Sequence, residues 1–305
     1  ISRLTGAVDD DSTVVFRHDS LGNVTSETLN GHTITSTHDG VGNRTGLVYP
    51  GGRSLQFGHG PLERLKQVTD ATGPGAPALM GAYDYVGPGR VTRRTLGNGA
   101  RMELTYDGIK GISNPSGDFG ERQIVRVQHL RPDGTTLMQD EITWDRVGNK
   151  TSEVMTTPGL RPLGHRYEYD SVDRMVHSQR SRSSGPPALG GRRGKQAGQN
   201  RSYHLDGVGN RTQVSSSPAG ALPGDGKYVT DSVNAYIKTP FDTRVHDANG
   251  NLTAIDPGTP TRRLITYDVR DRMVGYLVVA TGELTRYAYD ALGRRTIKVR
   301  DVTGN

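Results

Sequence analysis

The sequence predicts an all-β protein built from tandem antiparallel hairpins, and three observations predict it. A short unit, in which an aromatic or histidine precedes Asp and Gly follows three residues later, recurs at intervals of about twenty residues along the whole chain. Between copies the apolar residues alternate with the period of two expected of a strand. The 41 glycines and 16 prolines supply frequent turns, while only 32% of residues are hydrophobic, below the roughly 45–50% of average globular domains. Such a composition suits a polar-lined sheet better than a solid two-layer globule.

Taken in order, the clearest copies are His18-Asp19-Ser20-Leu21-Gly22-Asn23-Val24-Thr25 and His38-Asp39-Gly40-Val41-Gly42-Asn43-Arg44-Thr45, then Trp144-Asp145-Arg146-Val147-Gly148-Asn149-Lys150-Thr151 and Tyr289-Asp290-Ala291-Leu292-Gly293-Arg294-Arg295-Thr296. Intermediate copies begin at Tyr83-Asp84, Tyr106-Asp107, Tyr169-Asp170, Leu205-Asp206, His246-Asp247 and Tyr267-Asp268. Two decayed copies follow His59-Gly60 and Thr230-Asp231. The register positions are thus 19, 39, 60, 84, 107, 145, 170, 206, 231, 247, 268 and 290, and eight of the eleven intervals lie between 20 and 25. Eleven of the twelve copies keep Asp, and seven carry Gly three residues on: Gly22, Gly42, Gly87, Gly148, Gly209, Gly250 and Gly293.

Each residue type has a physical role. The Asp carboxylate accepts main-chain N–H groups about two residues ahead and closes an Asx-type turn. Gly supplies the positive φ of a tight turn at little steric cost, and Thr25, Thr45, Thr151, Thr212, Thr253 and Thr296 restart an extended strand. Segments such as Arg263–Tyr267 and Glu283–Tyr289 alternate as strands. One hairpin is marginal in water, so the units must stack side by side into a continuous sheet. The whole chain, 1–305, is expected to be a single repeat domain, an internal segment of a longer protein, with turn-rich inserts at about 111–122, 181–201 and 215–226.

Composition excludes several function classes. There is no Cys, hence no disulfide framework, thiolate metal site or cysteine nucleophile. The net charge of +6 is spread along the chain, so no nucleic-acid partner is expected, and no apolar run is long enough for a membrane span. Tyr outnumbers Phe by 13 to 4, so most rings bring a hydroxyl that needs a partner.

The recurrent Tyr/His-Asp-x-x-Gly-Asn/Arg-x-Thr unit, over essentially the whole chain, resembles the YD repeat of bacterial Rhs (rearrangement hot spot) proteins, insecticidal toxin-complex subunits and animal teneurins. The resemblance implies a long antiparallel strip spiralling around a hollow interior, as part of a shell or barrel. It implies a wall that encapsulates and delivers a C-terminal effector, in a bacterial protein that is secreted or displayed at the cell surface. Expected partners are the enclosed effector domain, and a secretion-system component or a surface carbohydrate. A cell-surface adhesion or carbohydrate-binding repeat protein is the alternative. Rhs proteins often end their shell at an Asp-Pro-x-Gly-type self-cleavage segment; Asp256-Pro257-Gly258 departs from that pattern and lies between repeats, so no catalytic residue is carried over.

No enzyme is expected, and no catalytic, cofactor or metal residue is assigned. His18, His38, His59 and His246 occupy the aromatic slot of their repeats. Asp247-Ala248-Asn249-Gly250-Asn251 superficially resembles the start of a calcium loop but lacks the closing acid. Asp9-Asp10-Asp11-Ser12 reads as a solvated loop, and Gly191–Arg201 as a basic, flexible one. The Asn-x-Thr triplets at Asn23, Asn43, Asn149, Asn210 and Asn251 match the glycosylation pattern, yet all fall at one repeat position and turn geometry accounts for them. The residues singled out are therefore those of the repeat itself: Asp19, Gly22, Asp39, Gly42, Tyr83, Asp84, Tyr106, Asp107, Trp144, Asp145, Gly148, Tyr169, Asp170, Asp206, Gly209, Asp231, Asp247, Gly250, Tyr267, Asp268, Tyr289, Asp290 and Gly293.

Overall fold

Alternating short apolar and polar stretches punctuated by Gly and Asp form strands throughout a computed structural model of the chain, which describes residues 3–108, 123–182, 199–217 and 223–302. Among the described residues there is no α-helix, only one short 3₁₀ turn, Pro61–Glu63, and no helix long and apolar enough to cross a membrane. Among the described residues the hairpins pair antiparallel. The chain divides into two compact units, Thr37–His204 with Ser215–Pro223, and Ile1–Ser36 with Leu205–Val214 and Gly224–Asn305.

In the first of these units, twelve strands from Arg44–Val48 to Gln199–Leu205 each pair with the next along the chain. A meander of this kind needs no crossover, because each hairpin leaves the chain beside the strand it pairs with next. In the other unit, Gly6–Val8, Thr13–His18, Val24–Leu29 and His32–His38 pair in succession. Six strands from Arg244–His246 to Arg295–Asp301 do the same. The expected strand Arg263–Tyr267 and the expected strand Glu283–Tyr289 have those bounds.

The sheets are one layer thick in their packing. Only Val14, Leu55, Val125, Leu130, Val214, Ala254 and Ile265 are buried apolar side chains among the described residues. Alternation still separates two faces in the twelve-strand meander. Paired neighbours Leu47 and Leu55, Phe57 and Val68, and Leu104 and Val127 share one face. The other carries polar cross-strand pairs: Gln128 Nε2 donates to Gln139 Oε1 at 2.7 Å, and Arg126 meets Glu141 at 3.3 Å.

Parts of the expected inserts are strand. Ser181 and Arg182 end the strand Met175–Arg182, opposite Gly164 and Leu163; Gln199 to Arg201 open the next strand, opposite Arg180 to Ser178. Ser215 to Ser217 end the strand Arg211–Ser217, and Gly226 pairs with Val214. A polar sequence reads as loop in isolation, yet Ser181, Arg182, Gln199 to Arg201 and Gly226 are paired with a neighbouring strand. The insert 111–122 and the remaining central portions lie outside the described residues.

One expectation about local structure is corrected. The recurrent Thr does not merely restart the second strand. Arg17 faces Ser26 while His18 faces Val24, so Thr25 is the extra residue of a β-bulge. Thr151, Thr253 and Thr296 are the extra residues of their repeats in the same way. A bulge bends the strand and increases its twist, and it sits beside nearly every aspartate turn.

Candidate functional site

The repeated turn is the most elaborated feature of the chain. In the Asp145 copy, Asp145 N–H donates to the Asn149 carbonyl at 3.0 Å and Gly148 N–H donates to the Asp145 carbonyl at 3.3 Å. The carboxylate then accepts three more donors: Val147 N–H at 3.0 Å and Asn149 N–H at 2.8 Å on Oδ1, and Asn149 Nδ2 at 3.1 Å on Oδ2. Asp19, Asp39, Asp206 and Asp247 hold Asn23, Asn43, Asn210 and Asn251 likewise. At Asp170, Asp268 and Asp290 an arginine Nε, from Arg174, Arg272 and Arg294, replaces the amide at 2.7 Å. In these eight turns the fifth residue is Asn or Arg, and both carry an N–H at the right reach for Oδ2; the Asp231 turn has Ala235 there. The five Asn-x-Thr asparagines thus have their amide nitrogens engaged, and the calcium-like Asp247 loop binds its own N–H groups.

These donors favour the ionised carboxylate. At Asp19, Asp39, Asp206 and Asp247 the side-chain hydrogen bond from asparagine leads in holding the carboxyl below the usual range. At Asp170 it is the Arg174 backbone N–H. At Asp145, Asp268 and Asp290 burial pushes upward as the largest single influence, and the donors together outweigh it.

The third residue after the register position is left-handed in every such turn. Gly22, Gly42, Gly148, Gly209, Gly250 and Gly293 have φ between 83° and 97°. Where glycine is missing, Glu63, Asp173, Asn234 and Asp271 adopt φ of 57–66°. Three of these four are Asp or Asn, the residues that tolerate this region best. Three of them also receive the neighbouring turn: Asn149 Nδ2 donates to Asp173 at 2.9 Å, Asn210 Nδ2 to Asn234 Oδ1 at 2.9 Å and Asn251 Nδ2 to Asp271 at 2.7 Å. The turns are therefore locked laterally as well as internally.

A second ladder runs beside them. Tyr106 hydroxyl donates to the Val91 carbonyl at 2.9 Å, Trp144 Nε1 to Ile124 at 2.8 Å, and Tyr169 to Lys150 at 2.8 Å. Tyr267 reaches Leu252 at 3.1 Å and Tyr289 reaches Met273 at 2.7 Å. In each case the acceptor faces the aromatic or histidine of the preceding repeat, next to its bulge. A bulge interrupts the backbone ladder, and the next repeat's ring supplies a donor there. This is why the chain uses Tyr rather than Phe.

The geometry moves one copy by two residues. Tyr83 and Asp84 lie within the strand Ala78–Val86, paired with Arg94 and Arg93. Tyr85 makes the ladder bond, to the Leu65 carbonyl at 2.6 Å, and the turn runs from Val86, which faces Arg90. Asp84 and Gly87 matched the motif by spacing alone. Asp107 keeps its place, but its N–H donates to the Gln123 carbonyl at 3.0 Å instead of to a carbonyl four residues on. Gly60 and Asp231 begin turns of the same backbone pattern, Gly60 without a carboxylate. His18, His59 and His246 occupy the aromatic slot, each opposite the residue just before the extra residue of its bulge.

Two other clusters carry ionisable groups. On the apolar face of the meander, Lys150 meets Glu153 at 3.0 Å and lies 5.3 Å from the centre of the Tyr167 ring, which stacks on His165. Burial, then Glu153, pushes the Tyr167 hydroxyl up to about 12 and raises the Asp140 carboxyl; burial lowers His165. In the other unit a cavity of about 300 Å³ is lined by Asp9, Asp10, Asp11, Arg270, Arg272 and Tyr287, among others. The acidic loop is not wholly solvated, because Ser12 is buried and bonds Asp9. Among the described residues no three His, Asp or Glu side chains are placed to hold a metal ion.

No protein-family model and no curated protein matches the sequence. Solved structures do. The chain aligns over 99% of its length with a TcdB2-TccC3-Cdc42 crystal structure, at 15% identity and a TM-score of 0.76. It aligns over 98% with the Tc holotoxin pore of Photorhabdus luminescens, at 14% and 0.64, and over 98% with TcdB2-TccC3 lacking its hypervariable C-terminal region, at 13% and 0.63. It spans only 16–18% of those chains. The fold is that of a stretch of these toxin-complex assemblies, the fold that the YD-repeat resemblance implies.

Proposed function

We propose that this chain is a non-enzymatic wall segment of a β-shell that encloses and delivers a C-terminal effector, in a secreted bacterial toxin of the interbacterial or host-directed kind. The observation that carries the reading is a sheet of twelve consecutive strands with almost no buried apolar core. A sheet built this way stabilises itself along its edges, through capped turns and hydroxyl bridges, instead of against a second layer. That is the physical requirement for a wall with space on one side. The twelve repeats serve as one repeat domain, and the toxin-complex fold supports the same role.

The test is a reconstruction of the full-length protein by electron microscopy, with its C-terminal region mapped by mass spectrometry. A hollow wall around a separate polypeptide is the expected result. A filled or open stack with nothing enclosed refutes the reading and turns attention to adhesion at a surface carbohydrate.

A further inference from the structure

One carboxylate of the twelve-strand meander stands apart from those of the turns. Asp145 accepts three donors in its turn, whereas Asp140, in the strand Thr136–Trp144, has a buried Oδ1 that receives none. A buried charge without donors is costly, and the cost falls away when the group is neutral. The register sets its neighbours on that face. Val127 lies opposite Asp140 on one side, and Met155, in the strand Lys150–Thr156, on the other. Glu153 comes two residues before Met155, so the two acids form a diagonal cross-strand pair, an arrangement in which long side chains still reach each other.

The two acids are not equivalent. Glu153 Oε2 accepts Lys150 Nζ at 3.0 Å and the Tyr167 hydroxyl at 3.5 Å, which favour its charged form, while its Oε1 receives no donor. The nearest other ionisable groups on this face are His129, two residues from Val127 on the strand Ile124–Leu130, His165 opposite Glu153, and Arg180 opposite His165. Burial, then the charge of Glu153, raises the Asp140 carboxyl against the opposing pull of His129 and Lys150, and burial lowers His165. Lys150 is committed to Glu153, so the hydrogen that Asp140 lacks is a proton of its own.

We propose that Asp140 and Glu153 are a proton-operated clasp between the strands Thr136–Trp144 and Lys150–Thr156: on mild acidification Asp140 binds a proton from solvent and donates it as a hydrogen bond to the open Glu153 oxygen. A repulsion between two carboxylates gives way to a charge-assisted bond, and in neutral medium the proton returns to water. The sign follows from linkage. A carboxyl raised in the fold stabilises fully below the unfolded value near 4, and that contribution is lost as pH rises through the raised folded value. The turn aspartates, held below their ordinary value, respond in the opposite sense. The seam therefore firms over a range in which the turns remain ionised. It stands on strand register and does not depend on any enclosed effector.

Hydrogen exchange of the 305-residue chain, read by mass spectrometry at about pH 4.5 and about pH 7.5 and scaled for the intrinsic pH dependence of amide exchange, tests the clasp. Peptides from residues 136–144 and 150–156 are expected to exchange at least about threefold more slowly at the lower pH, the worth of one net hydrogen bond. The strand pair Arg263–Tyr267 and Met273–Val278, in the other unit, is the control and should show no such slowing. In Asp140→Asn the amide donates at either pH, so exchange is expected to be slow at both and the pH dependence to vanish. Circular dichroism and thermal melting check that the variant folds. Glu153→Gln, which removes the charged acceptor and should shrink the pH dependence, serves if Asp140→Asn does not fold. Equal exchange at the two pH values, slowing of the same size in the control strands, or slowing that survives these substitutions overturns the proposal.

Discussion

Replacing Asp290 by Ala probes how much of the stability resides in a capped turn, and Asp170 supplies the control. Both carboxylates accept two turn N–H groups and an arginine Nε, at nearly identical distances. They differ in surroundings: the Asp290 side chain is completely buried, and Ser12 and Glu27 approach its turn. In Asp290→Ala the N–H groups of Leu292 and Arg294 lose their acceptor where water cannot readily replace it. At about 1.5 kcal/mol for each unsatisfied buried donor, the loss is about 3 kcal/mol. Arg294 keeps Glu27 and adds little to that. In Asp170→Ala the same donors turn to water and the loss is smaller. Urea unfolding followed by circular dichroism measures both, and hydrogen exchange at residues 290–294 reports whether the turn opens locally. The reasoning is refuted if Asp170→Ala costs as much as Asp290→Ala, or if Asp290→Ala costs less than about 1 kcal/mol.

Four further outcomes follow from the same geometry. Because the turn aspartates have carboxyls held below their ordinary value, their stabilisation is complete above the unfolded value near 4 and is lost as pH falls through the lower folded ones; urea midpoints should be flat for these groups above about pH 5 and fall steeply below pH 4. Asp140 runs the other way, its carboxyl raised first by burial and then by Glu153, so Asp140→Asn should raise stability at pH 7 and lose that advantage below about pH 4. Glu63 holds a φ of 58° without a glycine, and Glu63→Gly should stabilise by about 1 kcal/mol in thermal unfolding. Tyr169→Phe removes the bond to the Lys150 carbonyl without leaving a cavity, and should cost about 1 kcal/mol; no change would show that the bulge carbonyl finds another donor.

The sheet uses local hydrogen bonds where most proteins use a core. The seven buried apolar side chains among the described residues cannot alone offset the conformational entropy of so long a chain. The remainder comes from two ladders that run across the strands, one of carboxylates and one of ring hydroxyls. Each ladder links a repeat to the next, so cooperativity passes along the strip from neighbour to neighbour.

Much of this was legible in residue order. Asp, Gly and the ring recur at fixed offsets because a turn is closed by groups a few residues apart, and such local chemistry leaves its mark in spacing. The turns at Asp19, Asp145 and Asp290 could be placed from the sequence for that reason. Other features depend on partners distant in sequence. The bulge at Thr25 exists only relative to Arg17 and His18 on the facing strand. Tyr85 displaced Tyr83 as the ladder ring because only pairing shows which ring stands over the Leu65 carbonyl. The left-handed Asp173, Asn234 and Asp271 are ordinary letters until the turn imposes their φ. Ser12 looked solvated because its partner, the Ala291 N–H, lies 279 residues away. Local hydrogen bonding is written in the sequence, while strand register and long-range burial are decided only when the backbone groups of separate hairpins meet.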